Sequence, residues 1–596
     1  MSALAGMAIF AILACVLLAG TRAPYLIKTD ELSLFVSDGR YFSDCMLVPG
    51  GALTWCATFI TQFFHYPWLG TAVMTLTLVG LWLAVYRAFR LPARAFLYAG
   101  VVPAMMLAAY LMAGYLIYTI KTPGFAYMGI LGSLAAAGIY ALYRLSDRMV
   151  WRLAVLAAAA AMYMPLGFYA LLGMALCAAA DLRRFRGSWP CVAAAVVLTV
   201  AVPRLVYYFG DTHLMYARMY ISGLPRFGAD SVMLWLPYIV AFAAMGVFAL
   251  IGRRAPAAAS APCGLRCILP AAAVYLCSLA AVPLLAPADP HLDSLLRMDI
   301  ASEQGDYAAA LEASRDAGPA PTRALGLYTH MSLFHLGRAG DSLFTYPMAD
   351  TEYRSPNPGF TMRAVCTREL LYKLGRVNDC YRWCMEDMVE YGPRAEYLKY
   401  MVKCALVNGE TALARRYLDI LDRTLFHSDW ARRYRRYADD PSLMDAEPEF
   451  TSIRPLMAYH NTIGGDGGGR IESYLSAAVA SMEGGPRELV ELSLQFNLVR
   501  KDIAGFWPRF MLYARTHDRL PRHYQEAAVL FSALEQQVDW RRFDIDPEVV
   551  RSFGAFMEMA RRNSRFGDEA NREAFKPVFG DTYWYYYFFI KDLKTL

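Results

Sequence analysis

Two periodicities divide the chain. Through about residue 286, apolar runs follow one another with short polar breaks; beyond it, apolar residues recur at three- and four-residue spacing between short turns. Residues 3–20, 69–86, 95–117, 125–143, 190–209, 232–251 and 268–286 each approach the roughly 20 mostly apolar residues that a membrane helix needs. The first run ends at Thr21-Arg22-Ala23, which loosely suits a cleavage site, but it lacks a basic start and further runs follow, so it reads as a retained helix. Residues 153–180 fit either one long span or two short helices folded at Met164-Pro165-Leu166-Gly167, where proline breaks the hydrogen-bond ladder.

Charge decides between those two. Arg87, Arg90 and Arg94, then Arg144, Arg148 and Arg152, then Arg183, Arg184 and Arg186, then Arg253 and Arg254 share one side only if 153–180 is a hairpin. By the positive-inside rule that side is cytoplasmic. Loops 21–68 and 210–231 then face outward with Asp30, Glu31, Asp38, Asp44, Asp211 and Asp230, leaving Asp147 and Asp181 inside. The C-terminal domain faces outward too. Residues 1–286 hold 19 Lys and Arg against 8 Asp and Glu, and the remainder 39 against 44, so the net charge of +6 divides into +11 and −5. Basic residues in short loops are explained by topology, and no nucleic-acid partner is implied. The 57% hydrophobic content has the same source.

The expected fold is therefore all-α: a polytopic transmembrane helical domain over 1–286, TPR-like helical repeats over 287–440, and a further helical region over 441–596 with an aromatic C-terminal cap. The repeat signal is a local phrase at Gly305, Gly337, Gly375 and Gly409, separated by 32, 38 and 34 residues. That spacing is close to the period of about 34 for tetratricopeptide helix pairs, whose stacked faces commonly bind proteins or peptides. The tail Asp581-Thr582-Tyr583-Trp584-Tyr585-Tyr586-Tyr587-Phe588-Phe589 is too short to span and either caps the repeats or touches the membrane or its helices. Gly464-Gly465-Asp466-Gly467-Gly468-Gly469 lacks the Lys-Ser/Thr of a phosphate-binding loop and reads as flexible.

Residues 51–66 are amphipathic, aromatic and too short to span, and read as a helix in the outer interface with Trp55, Phe59, Phe63 and Phe64 dipping into acyl chains. One helix, an outward loop with Asp30-Glu31, this interfacial helix and the turn His65-Tyr66-Pro67-Trp68-Leu69-Gly70 together resemble the start of the GT-C superfamily of membrane glycosyltransferases. In protein O-mannosyltransferase-like members the turn reads His-Pro-Pro-Leu-Gly, so Tyr66 departs from the pattern. The resemblance covers roughly the first 90 residues. It implies transfer from a polyprenyl-phosphate sugar on the extracytoplasmic face, with Asp30 as general base and Glu31 as its neighbour or as a ligand for a divalent metal. The departing phosphate needs cationic or hydrogen-bonding groups, for which Arg204, His213, Arg218 and Arg226 in or beside loop 210–231, with His65, are the candidates. Each has a plainer reading: a solvated acidic pair, a structural histidine before proline, and arginines that bind lipid headgroups or pair with Asp211 and Asp230.

The phrases Leu406-Val407-Asn408-Gly409, Arg416-Tyr417-Leu418 with Leu421-Asp422-Arg423-Thr424, Tyr524-Gln525-Glu526-Ala527 and Thr582-Tyr583-Trp584-Tyr585-Tyr586 resemble an uncharacterised bacterial family of multi-pass proteins. That likeness implies the bacterial inner membrane and a shared fold, with no established activity. Cys366, Cys380, Cys384 and Cys404 form no zinc pattern, and buried thiols are favoured over a disulfide such as Cys366 with Cys380. Against the enzyme stands a non-catalytic scaffold whose repeats bind envelope proteins; the near absence of ionisable residues within the spans argues against a transporter.

Overall fold

The computed structural model describes residues 3–182, 185–227, 232–251, 265–318, 321–347, 362–457, 479, 484–535, 538–564 and 567–590. Among them there are helices and turns and no β-strand. The Gly-rich stretch 464–469, Asp230 and the arginines at 183, 184, 253 and 254 lie outside the described residues. The chain forms two compact units. The first is Met1–Ala288 together with Met388–Glu396 and Asp419–Arg432; the second is Asp289–Asp387, Tyr397–Leu418 and Arg433–Leu596.

In the first unit, five helices are long and apolar enough to cross a membrane: Pro67–Ala88, Ala93–Leu111, Phe125–Tyr143, Ser188–Phe209 and Val232–Ile251. Across the chain the number is up to seven if each of two bent helix pairs counts as one span; within this unit such a pair is Leu4–Gly20, which turns by 71° into Ala23–Glu31. Every residue of Val101–Leu111 is buried. Trp82 is fully buried, donates its indole N–H to Phe96 O at 2.9 Å, and meets the rings of Phe10, Phe96 and Tyr275. Gly132 lies against the ring of Tyr169, the small-residue contact that lets apolar helices approach closely.

The stretch 153–180 is a hairpin. Helices Met149–Ala161 and Phe168–Leu182 flank a short turn, Tyr163–Leu166, closed by Gly167 at φ +57°. A side chain at Gly167 would press on Ser222 O at 2.4 Å. This tip bonds to both loops predicted to face outward: Gly50 N donates to Met164 O at 2.8 Å and Phe168 N to Ser222 O at 2.7 Å. At the other end, buried Asp181 accepts from Tyr143 Oη at 2.7 Å and from Arg152 at 3.2 Å, which neutralises the charge there.

The second unit is built from helix pairs. At each of Gly305, Gly337, Gly375 and Gly409 the helix ends in a left-handed glycine, φ +77°, +64°, +78° and +79°. The next amide reaches back five residues each time: Asp306 to Ala301 O, Arg338 to Leu333 O, Arg376 to Leu371 O and Glu410 to Ala405 O, at 2.7–2.8 Å. These are four copies of one Schellman stop, which explains the repeated phrase. The aromatic tail is buried in this unit's own core, with Tyr583 and Tyr586 against Phe344 and Trp584 against Phe556. Cys380, Cys384 and Cys404 are buried free thiols; the side chain of Cys366 lies outside the description.

Candidate functional site

The acidic pair is not in a solvated loop. α1 (Ala23–Glu31) carries Pro24 in its first turn and Asp30 and Glu31 in its last, both buried, Asp30 at 2% exposure. Carboxylates at a helix C-terminus oppose the helix dipole and lose hydration on burial, so nearby groups must compensate. For Asp30 these are two imidazoles: His65 Nδ1 lies 3.1 Å and His427 Nε2 3.4 Å from the same oxygen, Oδ2. The three ligand atoms lie within 4.8 Å of one another. On the same helix, buried Lys28 pairs with Glu396 at 3.0 Å and sits over the Tyr118 ring.

His65 is delivered by a short 3₁₀ turn, Gln62–His65, that follows α2 (Gly51–Thr61); Tyr66 is extended, as a residue before proline must be, and α3 (Pro67–Ala88) begins. The helix read at 51–66 is therefore present with a tightened end. Phe59 is exposed as expected, but Phe64 is fully buried, stacked on Tyr110 and Tyr127, and so is a core residue rather than a membrane-facing one. His427 comes from the segment 419–432. That segment is stitched to the rest of the unit by Arg423 to Asp38 at 2.6 Å, Leu425 N to Gln62 Oε1 at 2.9 Å, and Phe426 stacked 5.5 Å from the His65 ring.

A second feature of the same unit is a cavity of about 400 Å³. Its lining takes Lys121, His213, Arg218 and Arg226 together with apolar residues such as Met128 and Leu214. Asp44 also lines it. Arg218 donates to Leu224 O at 2.8 Å, and the Arg226 amide donates to Thr122 Oγ1 at 2.9 Å. Among the described residues neither guanidinium pairs with a carboxylate. Burial, reinforced by the charge of Arg226, lowers Arg218 to about 10. Two like charges held together, with no carboxylate paired to either among the described residues, make a site that an anion would relieve.

Of the residues singled out from the sequence, His213, Arg218 and Arg226 share the large cavity, while Asp30 and His65 share the triad and Glu31 is buried beside it. Arg204 is exposed on the helix Phe185–Phe209 and joins neither. The two clusters are separate. A small cavity of about 20 Å³, lined by Thr29, Leu32 and Ser33, which flank the acidic pair, shares Leu34, Thr122, Pro123 and Pro393 with the larger one. Sequence reasoning missed His427 and Lys121. His427 stands just after the family-like phrase 421–424, the only signal near it, and no spacing rule links it to residues almost 400 positions earlier.

No curated protein and no solved structure matches the chain. Residues 1–590 match the profile of a family of unknown function, DUF6057, and the chain belongs to that family.

Proposed function

We propose that this protein is an integral-membrane glycosyltransferase of GT-C type that takes its sugar from a polyprenyl-phosphate donor at the outward face of a bacterial inner membrane. The observation that carries the reading is the cavity of about 400 Å³ in which Arg218, Arg226, His213 and Lys121 stand among apolar walls. A lipid phosphate needs this combination: cationic donors for the head and apolar surface for the chain. Both outward-read loops line this cavity, and the hairpin tip bonds to Gly50 and Ser222 of those loops, as an outward active face requires. The reading assigns to Asp30, in the separate triad, the proton of the acceptor hydroxyl, whose oxygen bonds to the anomeric carbon as the sugar–phosphate bond breaks and the polyprenyl phosphate leaves. The helix pairs of the second unit serve as a TPR-like surface for a protein or peptide. Their four matching turns also suit the non-catalytic scaffold reading.

The test is binding of undecaprenyl phosphate to the purified full chain in nanodiscs. Saturable binding, weakened at least tenfold in Arg218→Ala and Arg226→Ala at unchanged melting temperature, is expected, because a charge-assisted hydrogen bond contributes roughly 1.5–3 kcal/mol. Binding that ignores both variants, or no binding, would leave the scaffold.

A further inference from the structure

The Asp30, His65 and His427 cluster has a geometry of its own. Both imidazole nitrogens approach one and the same carboxylate oxygen, at 3.1 and 3.4 Å. A tetrahedral zinc site with ligand bonds of about 2.0–2.1 Å has ligand–ligand edges of about 3.3 Å. The two separations bracket that edge. Two neutral imidazoles and one carboxylate form the donor set of open, three-ligand zinc sites, in which the fourth position is left to water or substrate. Burial favours the same occupant. Asp30 and His427 are almost completely enclosed, whereas the His65 side chain is 29% exposed, which gives a cation one route in.

The scaffold around the cluster holds it ready. Asp30 is fixed by the last turn of α1, His65 by the 3₁₀ turn before Pro67, and His427 by the amide of Ala431, which donates to its carbonyl at 2.9 Å as a helix starts at Ser428. The His65 ring stacks on Phe426 at 8° between planes and meets the His427 ring edge-on at 85°. The three ligands are 35 and 362 residues apart in the chain, so binding a cation would clamp the segment 419–432 to α1 and the turn before α3.

We infer that Asp30, His65 and His427 form a binding site for one divalent transition-metal ion, of the Zn²⁺ class. The inference does not depend on sugar transfer: a protein that binds this ion and transfers nothing would satisfy it. Asp30→Asn would damage both readings, so the histidines are the test.

Purified full chain is stripped with chelator and titrated with Zn²⁺ and, as a spectroscopic probe, Co²⁺, alongside His65→Ala, His427→Ala and, as a control in the second unit, His335→Gln. The expected result is about one equivalent per chain with a tetrahedral Co²⁺ absorption band, retained in His335→Gln and lost in His427→Ala and His65→Ala. His65 is partly exposed, so its variant stays informative should His427→Ala fail to fold. A stoichiometry below one tenth in the folded wild type would make the cluster a hydrogen-bonded triad only. Undiminished binding in His65→Ala would place the metal elsewhere. Either result overturns the inference, and neither touches lipid-phosphate binding, which is read by the arginine variants.

Discussion

The two units treat buried charge differently. In the second unit, charges pair off inside the helix stack: Arg368 with Asp387 at 2.6 Å, Arg376 with Asp379 at 2.8 Å, and Lys403 with Glu449 at 2.9 Å among the rings of Tyr372, Tyr400 and Tyr434. Each is a structural ion pair, costly to break and silent about function. The first unit has such pairs too, Arg152 with Asp181 and Lys28 with Glu396, but in addition one buried carboxylate is answered by two histidines and two guanidiniums are answered by no described carboxylate. The contrast teaches where chemistry is to be sought: burial alone does not mark a site, whereas charge left to be satisfied from outside does.

The largest expected effect breaks a pair of the second unit. Arg368→Ala strands the Asp387 carboxylate and removes the cation from the face of Tyr397, and should destabilise that unit by about 3–5 kcal/mol. A drop in the melting temperature of the purified chain reads it, and a drop no larger than that of an exposed substitution would mean the pair is not structural. Next comes the repeat turn. At Gly375 an added Cβ would lie 2.5 Å from Leu456 Cβ in a left-handed backbone, so Gly375→Ala should cost about 3 kcal/mol. Gly409 has the same φ but nothing within 4 Å, and its alanine variant should lose only about 1 kcal/mol. Equal losses would show that the turn, not its packing, decides.

These glycines also show how far the sequence could be read. The helix pairs were legible because the Schellman stop writes glycine at a fixed place, and the long apolar helices because runs of about twenty apolar residues have few other uses. The hairpin was legible from arginine placement. The burial of Asp30 was not, since nothing near it in sequence announces His427, and a carboxylate at a helix end looks solvated until its partners are known. Phe64 was misread for the same reason: an aromatic residue on an amphipathic helix can face lipid or the rings of Tyr110 and Tyr127, and only packing decides. The arginines were found as a group because a loop of about twenty residues gathers them, but Arg204 shows that neighbourhood in the chain is not neighbourhood in space.

The smallest expected effect is on pH. Burial holds the His330 imidazole down at about 4, against about 6.5 in an unfolded chain. As pH falls below 6.5 the unfolded chain takes up a proton that the folded one refuses, so the stability tied to this group is full above 6.5 and is lost toward pH 4. Between pH 7 and 5.5 that amounts to about 1 kcal/mol. Glu369, raised by burial and by Asp299, acts with the opposite sign. The difference between wild type and His330→Gln therefore isolates the histidine: the variant should lose less stability on acidification, and an unchanged pH slope would mean His330 is not held neutral.

The most direct measurement of the account is where a lipid phosphate sits. A photoreactive polyprenyl-phosphate analogue is bound to the full chain in nanodiscs, and its adducts are mapped by mass spectrometry. Labelling is expected at Leu214, Met215 and Met128 in the arginine-lined cavity, competed by unlabelled polyprenyl phosphate and diminished in Arg218→Ala. Labelling spread over exposed apolar helix faces such as Val196 and Val197, indifferent to competitor and to Arg218, would contradict it.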